Sequence, residues 1–165
     1  MKPALMILDM QKAYYEGAEK EAMDGAAAYV NAVLPAFRKA GLPVFWVYHR
    51  SPGVAEGDPG FEFIDALARR DGEAAIVKEK GSAFMAPGAL ELVRDSGMDM
   101  LVISGFCAEY CVLSTFKHAK DLDLNPVLLS GALASGSKEN ARFVHDICDH
   151  ISWRPLVWAA DGLAR

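Results

Sequence analysis

Basic runs are missing from this sequence. Its 17 Lys and Arg are outnumbered by 22 Asp and Glu, so the net charge is −5 and the pI near 5.3. Nucleic acids and anionic membrane surfaces reward clustered cations, so neither is expected as a partner. Long apolar stretches are missing too, and no run approaches the roughly 20 residues of a membrane span. The N-terminal apolar run meets Asp9 with no small-residue cleavage site beside it, which reads as a buried strand and not a signal peptide. Cysteine is scarce: Cys107, Cys111 and Cys148 make an odd count with no paired metal or redox spacing. A disulfide framework is excluded, and a reducing, cytoplasmic setting is expected. No two of the four histidines have ligand spacing, and Val47 stands two residues before His49 where a carboxylate would be needed. No protein metal site is expected.

What remains is an ordinary globular composition, with 52% hydrophobic and 24% charged residues. A chain of 165 residues is long enough to bury a core without staples, and residues 1–165 read as one domain. Short apolar runs at 3–10, 43–49, 74–79, 99–106, 125–132 and 154–160 alternate with helical patterns. Most are continuous runs, as expected when both faces of a parallel sheet are covered. Met23, Ala27, Val30, Leu34 and Phe37 recur at helical spacing, with Pro35 expected to interrupt. Val112 with Phe116 and Ala119, and Val144 with Ile147 and Ile151, mark further amphipathic helices. The Gly- and Pro-rich segment 50–60 reads as a surface loop. This alternation predicts an α/β fold: a three-layer αβα domain on a mostly parallel six-stranded sheet, Rossmann-like, in the order 3-2-1-4-5-6. Ligands of such sheets bind beyond the carboxyl ends of the strands.

Three residues at those ends carry chemistry. Asp9 follows a run of buried aliphatics, where a carboxylate is costly unless paired or used; a helix cap is the alternative. Lys78 ends the third run and by itself is equally a solvated lysine. Cys111 falls near the first turn of the helix after the fourth run, where exposed N–H groups and the helix dipole are expected to lower its pKa. The alternative is a small buried hydrophobe, the role expected for Cys107 and Cys148. Of the histidines, only His49 at the end of the second run can reach these residues. His118 lies two turns beyond Cys111, and His145 and His150 read as solvated.

In order, the blocks LDMQ (8–11), KEKGSAF (78–84) and GFCAEYCVLST (105–115) resemble the isochorismatase-like cysteine hydrolase superfamily. That group includes nicotinamidases, carbamoylsarcosine amidases, ureidoacrylate-type amidases and isochorismatases. The resemblance covers essentially the whole chain and implies an Asp9–Lys78–Cys111 triad hydrolysing a small-molecule amide or related C–N bond through a thioester, without a cofactor. It also implies a cis peptide at Phe106–Cys107, with the backbone N–H groups of Cys107 and Cys111 forming an oxyanion hole. Homo-oligomers, dimers or larger, are usual among such proteins.

Several positions depart from the family pattern. The metal-binding D-x-H…H is absent, the second acid of D-x-Q-x-D-F is Ala13, and the aspartate of T-A-x-D-A is His118. Nicotinamide is therefore disfavoured as substrate, although a nicotinamidase proper stays open. So does a redox-sensing module built on Cys107 and Cys111. The presence of Cys111 argues against vinyl-ether chemistry of the isochorismatase kind. Gln11, Tyr14, Trp46, His49, Phe84, Glu109 and Tyr110 are the candidates for substrate binding, with core packing the alternative for the aromatics.

Overall fold

The computed structural model describes residues 1–164. Six parallel strands form one sheet: β1 (Pro3–Leu8), β2 (Val44–His49), β3 (Ala74–Lys78), β4 (Met100–Gly105), β5 (Pro126–Leu133) and β6 (His150–Ile151). Their order, β3-β2-β1-β4-β5-β6, is the one expected from the sequence. The helices are α1 (Gly17–Lys39), α2 (Ala89–Asp95), α3 (Leu113–Asp121), α4 (Lys138–Ile147) and α5 (Trp153–Leu163).

The continuous apolar runs have a direct physical cause. Side chains alternate across a strand, so a strand covered on both faces needs apolar residues at every position. Along β1, Leu5 and Ile7 enter one core with Met23, Val30 and Phe37 of α1. Ala4, Met6 and Leu8 enter the other, with Val93 of α2 and Phe116 of α3. These five of the six β1 residues are fully buried. Trp46 lies on the α1 side, and Phe45 and Val47 on the α3 side.

Two expectations are corrected. Residues 154–160 are not a strand but belong to α5, and the sixth strand is the two-residue β6 before it. Leu156 and Ala160 are buried while Trp158 is exposed, a helical and not an alternating pattern. Pro155 falls in the first turn, where the missing N–H has no intrahelical partner to lose. Pro35 does not interrupt α1, because it lies on the solvent side near the helix end.

The sheet reverses direction of growth between β1 and β4, and the backbones close up there. A Cβ at Gly105 would lie 2.2 Å from the Leu8 carbonyl oxygen, and Gly105 has φ +132°, so only glycine fits. Phe106 N–H donates to Leu8 O at 2.9 Å, holding the segment after β4 against the end of β1. The chain leaves β1 and β4 side by side and pointing the same way. Residues just past each strand therefore share one crevice.

Candidate active site

Asp9 is the first residue past β1. Its N–H continues the ladder to Val47 O at 2.9 Å, but its φ is +57°. That left-handed conformation, tolerated by Asp better than by most residues, turns the side chain out of the strand direction. The carboxyl group is buried, with the residue 2% exposed.

Lys78 ends β3, opposite His49 of β2 in the parallel register. Its side chain is fully buried. The ammonium lies 2.8 Å from Asp9 Oδ2, 3.0 Å from His49 Nδ1 and 3.4 Å from Cys111 Sγ. One cation thus meets three electron-rich groups, as many as an ammonium has protons to offer. Its approach to Asp9 is an ion-pair contact off the hydrogen-bond direction, and Asp9 Oδ1 meets no donor. Asp9 therefore keeps lone pairs shielded from solvent and within reach of the Cys111 thiol.

Cys111 sits in a π-helical turn, Ala108–Val112, that leads into α3. The turn begins at Cys107, whose φ and ψ are both +57°. Cys107 O accepts from Tyr110 N at 3.0 Å and Val112 N at 3.3 Å, the residues on either side of Cys111. Phe106 N and Ala108 N are both bonded, whereas the Cys107 N–H between them has no acceptor among the described residues. The expected cis peptide is corrected: every peptide bond among the described residues is trans, and the sharp turn comes from Gly105 and the left-handed Cys107.

Electrostatics correct a second expectation. Burial, reinforced by the Asp9 charge, pushes the Cys111 thiol up to about 12, and Lys78 only partly opposes this. Helix polarity at a short turn does not compensate for lost hydration. Cys107 is pushed up to about 11, again chiefly by burial. Burial raises the Asp9 carboxyl, with Lys78 opposing. Burial and the Lys78 charge lower His49, so its ring is neutral near pH 7 and Nδ1 accepts from Lys78. At rest Cys111 is therefore a thiol, with the Lys78 side chain lying between it and the Asp9 carboxyl.

The carboxylate of Asp9, a ring nitrogen of His49 and Cys111 Sγ lie within 4.8 Å of one another, a spacing that suits a metal ion. Lys78 Nζ is in direct contact with all three residues. A cation of the chain's own already stands where an ion would have to bind.

The other candidates separate into three groups. Gln11 is fully buried and acts as a strut: Nε2 donates to Phe61 O at 2.9 Å and His49 O at 3.1 Å, and Oε1 accepts from His49 N at 2.8 Å. Tyr14 is half-buried, stacks on Phe106 with centroids 5.7 Å apart, and lies close enough for Asp9 and Cys107 to raise its phenol, after burial. Trp46 is not a pocket wall. It is fully buried, its Nε1 donates to Glu73 at 2.8 Å, and Phe63 packs edge-on against it. Phe84 is likewise core, edge-on to His118. Tyr110 is 69% exposed on the rim. Glu109 accepts from Ser135 Oγ at 3.0 Å and Asn140 Nδ2 at 2.7 Å, tying the Cys111 turn to the start of α4.

Sequence reasoning left His118 without a role. Its Nδ1 lies 3.0 Å from Ser82 Oγ, and Ala83 N–H donates to Thr115 Oγ1 at 3.0 Å. The spacing 111, 115, 118 on one helical face is the signal that pointed there. His150 is exposed and His145 partly so; their rings lie tilted with centroids 3.9 Å apart, and His145 Nε2 meets Ser130 Oγ at 3.3 Å.

Comparison with known proteins adds the family. Residues 3–149 match the isochorismatase domain. The secreted isochorismatase effector Isc1 of Verticillium dahliae is 29% identical over 119 residues, 69% of this chain. The chain spans 63% of that protein's length and 46% of two further curated relatives. Among solved structures, a cysteine hydrolase from Pseudomonas syringae pv. phaseolicola superposes with TM-score 0.85 at 18% identity, over 98% of this chain and 93% of that one. N-carbamoylsarcosine amidase from Thermoplasma acidophilum does so with TM-score 0.79 at 24% identity, over 93% and 98%. The fold is common to all of these, and the match running from β1 to the start of β6 makes this chain a member of the isochorismatase-domain family.

Proposed function

We propose that this protein is a cysteine-dependent hydrolase of a small amide or related C–N bond, working through a thioester. One observation carries the reading: a fully buried lysine joins a carboxylate with unused lone pairs to a thiol on a turn that leaves a backbone N–H without an acceptor. A core built for stability alone would not assemble these groups, because each is costly to bury.

The raised thiol pKa fits this chemistry once the proton is followed. Ionising Cys111 into solvent would leave a net negative charge in a closed site. Passing its proton to Asp9 conserves the site's charge, and a carboxyl whose own pKa is raised accepts it more readily. The thiolate attacks the amide carbonyl and a C–S bond forms. The N–H groups of Cys107 and Cys111 receive the oxyanion. Asp9 returns its proton to the nitrogen, the C–N bond breaks and the amine departs, leaving a thioester. Asp9 then takes a proton from water as it adds to the thioester, and the collapsing intermediate breaks the C–S bond. The acid leaves and Cys111 regains its proton. His49 and Gln11 position Lys78 and the strand ends around this centre.

A second reading draws on Isc1, named as an isochorismatase. Asp9, with its raised pKa, would there act alone as an acid on a vinyl ether, and the thiol would be idle.

The test is ammonia release from a panel of small primary amides and ureido compounds, with wild type and Cys111→Ala side by side and acid-quenched samples examined by mass spectrometry. Release that disappears with Cys111→Ala, together with an acyl adduct on the Cys111 peptide, supports the amidase reading. Release that survives Cys111→Ala overturns it. Turnover of isochorismate by both proteins selects the second reading.

A further inference from the structure

We propose that Ser82 and His118 form a clamp that sets the approach of Lys78 to Cys111; the inference rests on the reading of Cys111 as a nucleophile assisted by its buried neighbours. Lys78 and Cys111 arrive from different elements, one at the end of β3 and the other before α3. The ammonium–sulfur contact of 3.4 Å between them is long and soft, and a lysine stem has several rotatable bonds. Something must fix the two supports relative to each other.

The loop after β3 lies along one face of the Cys111 helix. Residues 111, 114, 115 and 118 are spaced by three and four, so they share that face. Gly81 approaches so closely that a Cβ there would come within 3.2 Å of Ser114 Oγ. Ala83 N–H donates to Thr115 Oγ1, which is fully buried. At the far end Ser82, 4% exposed, places Oγ 3.0 Å from His118 Nδ1. The same hydroxyl accepts Phe84 N–H at 3.2 Å, so Ser82 Oγ is held between the backbone of its own loop and the His118 ring. Phe84 then closes edge-on over the imidazole with centroids 5.8 Å apart.

The arrangement is a button, with polar contacts inside an apolar seam that fit in one register only. Without His118, the buried Ser82 hydroxyl would have no acceptor for its proton among these contacts. Neither Ser82 nor His118 contacts the triad directly, so both are positioning residues. Their effect is on where the Lys78 loop rests against α3.

The experiment follows iodoacetamide alkylation of Cys111 in the full chain against pH, mapped by peptide mass spectrometry, well below the thermal transition of each variant. Ser82→Ala and His118→Ala are expected to move the Cys111 pH–rate profile toward that of Lys78→Ala. The rate at fixed pH should fall about tenfold, short of the roughly hundredfold cost of an ångström's misplacement. His118→Asn should restore it, because an Asn side-chain amide can stand where Nδ1 stood. Alkylation of Cys107 should not move.

If Lys78→Ala slows Cys111 while Ser82→Ala and His118→Ala lower only the melting temperature, the clamp is structural and the proposal fails, but the Lys78–Cys111 reading stands. If Lys78→Ala leaves Cys111 unchanged, that reading fails and takes the clamp with it. Should Ser82→Ala not fold, the comparison of His118→Ala with His118→Asn decides: equal slowing in both overturns the proposal.

Discussion

Replacing Lys78 by methionine keeps a long apolar side chain and removes the cation paired with Asp9. At a separation of 2.8 Å and an effective dielectric constant of about 20, the attraction lost is about 6 kcal/mol. Asp9 has a cheaper escape. Protonating a carboxyl of ordinary pKa at neutral pH costs about 4 kcal/mol. The variant should therefore fold with Asp9 neutral and lose about 4 kcal/mol, within the range of about 3–5 kcal/mol for a broken buried pair.

The signature of this route is its pH dependence. In the parent, burial raises the Asp9 carboxyl and Lys78 opposes the rise; in the variant the largest opposing influence is gone. A group whose folded pKa exceeds its unfolded pKa contributes stability that is fully present below the unfolded value and lost as pH climbs through the folded one. Wherever Asp9 is ionised in the parent but still protonated in the variant, the stability gap should widen by about 1.4 kcal/mol per pH unit. Urea denaturation of both proteins from about pH 5 to about pH 8 measures that slope. A gap constant across the interval would refute the reasoning, since the Lys78 charge would then not be what keeps Asp9 ionised.

Three further substitutions probe the surroundings. Gly105→Ala forces a Cβ onto the Leu8 backbone at a φ of +132°, and a loss of about 4 kcal/mol or more should appear as a lowered urea midpoint or insoluble protein. Trp46→Phe removes the bond to Glu73 and should cost about 2 kcal/mol of stability while leaving KM unchanged; a changed KM would return Trp46 to the pocket. Cys107→Ala keeps the backbone N–H, so hydrolysis should be unaffected, and a loss of more than about tenfold would show that the thiol takes part.

Much of this was readable from the sequence, for identifiable reasons. A strand buried on both faces needs an unbroken apolar run, and residues 4–8 of β1 and 44–48 of β2 are such runs. The ends of those runs are where a crevice must lie, so Asp9 and Cys111 stood out as candidates, whereas Lys78 joined them only through the resemblance of the three sequence blocks to a known family. The failures are equally physical. Residues 154–160 are apolar at a density that suits strand or helix, and the choice turned on Leu156 and Ala160 meeting α1, a contact no local pattern encodes. Trp46 lies only three residues before His49, yet its indole faces Glu73 from the layer opposite α3. The elevated thiol pKa depends on burial and on the Asp9 charge, and neither is a property of the helix start that carries Cys111.

That elevated value alters what activation means in this site. A low-pKa cysteine stores its thiolate before substrate arrives, and an exposed one is open to alkylation and oxidation. Under the proposed mechanism the thiolate exists only while Asp9 holds the proton, and Lys78 touches both groups, so its charge favours whichever is negative. The ammonium's contact with His49 Nδ1 completes the set, and Gln11 holds the His49 backbone in place through both sides of its amide. A metal ion at the same point would bind the thiolate directly and reduce its nucleophilicity. A lysine neutralises charge without forming a bond to sulfur, and under the proposed mechanism that difference would let one thiol be both guarded at rest and reactive toward a carbonyl.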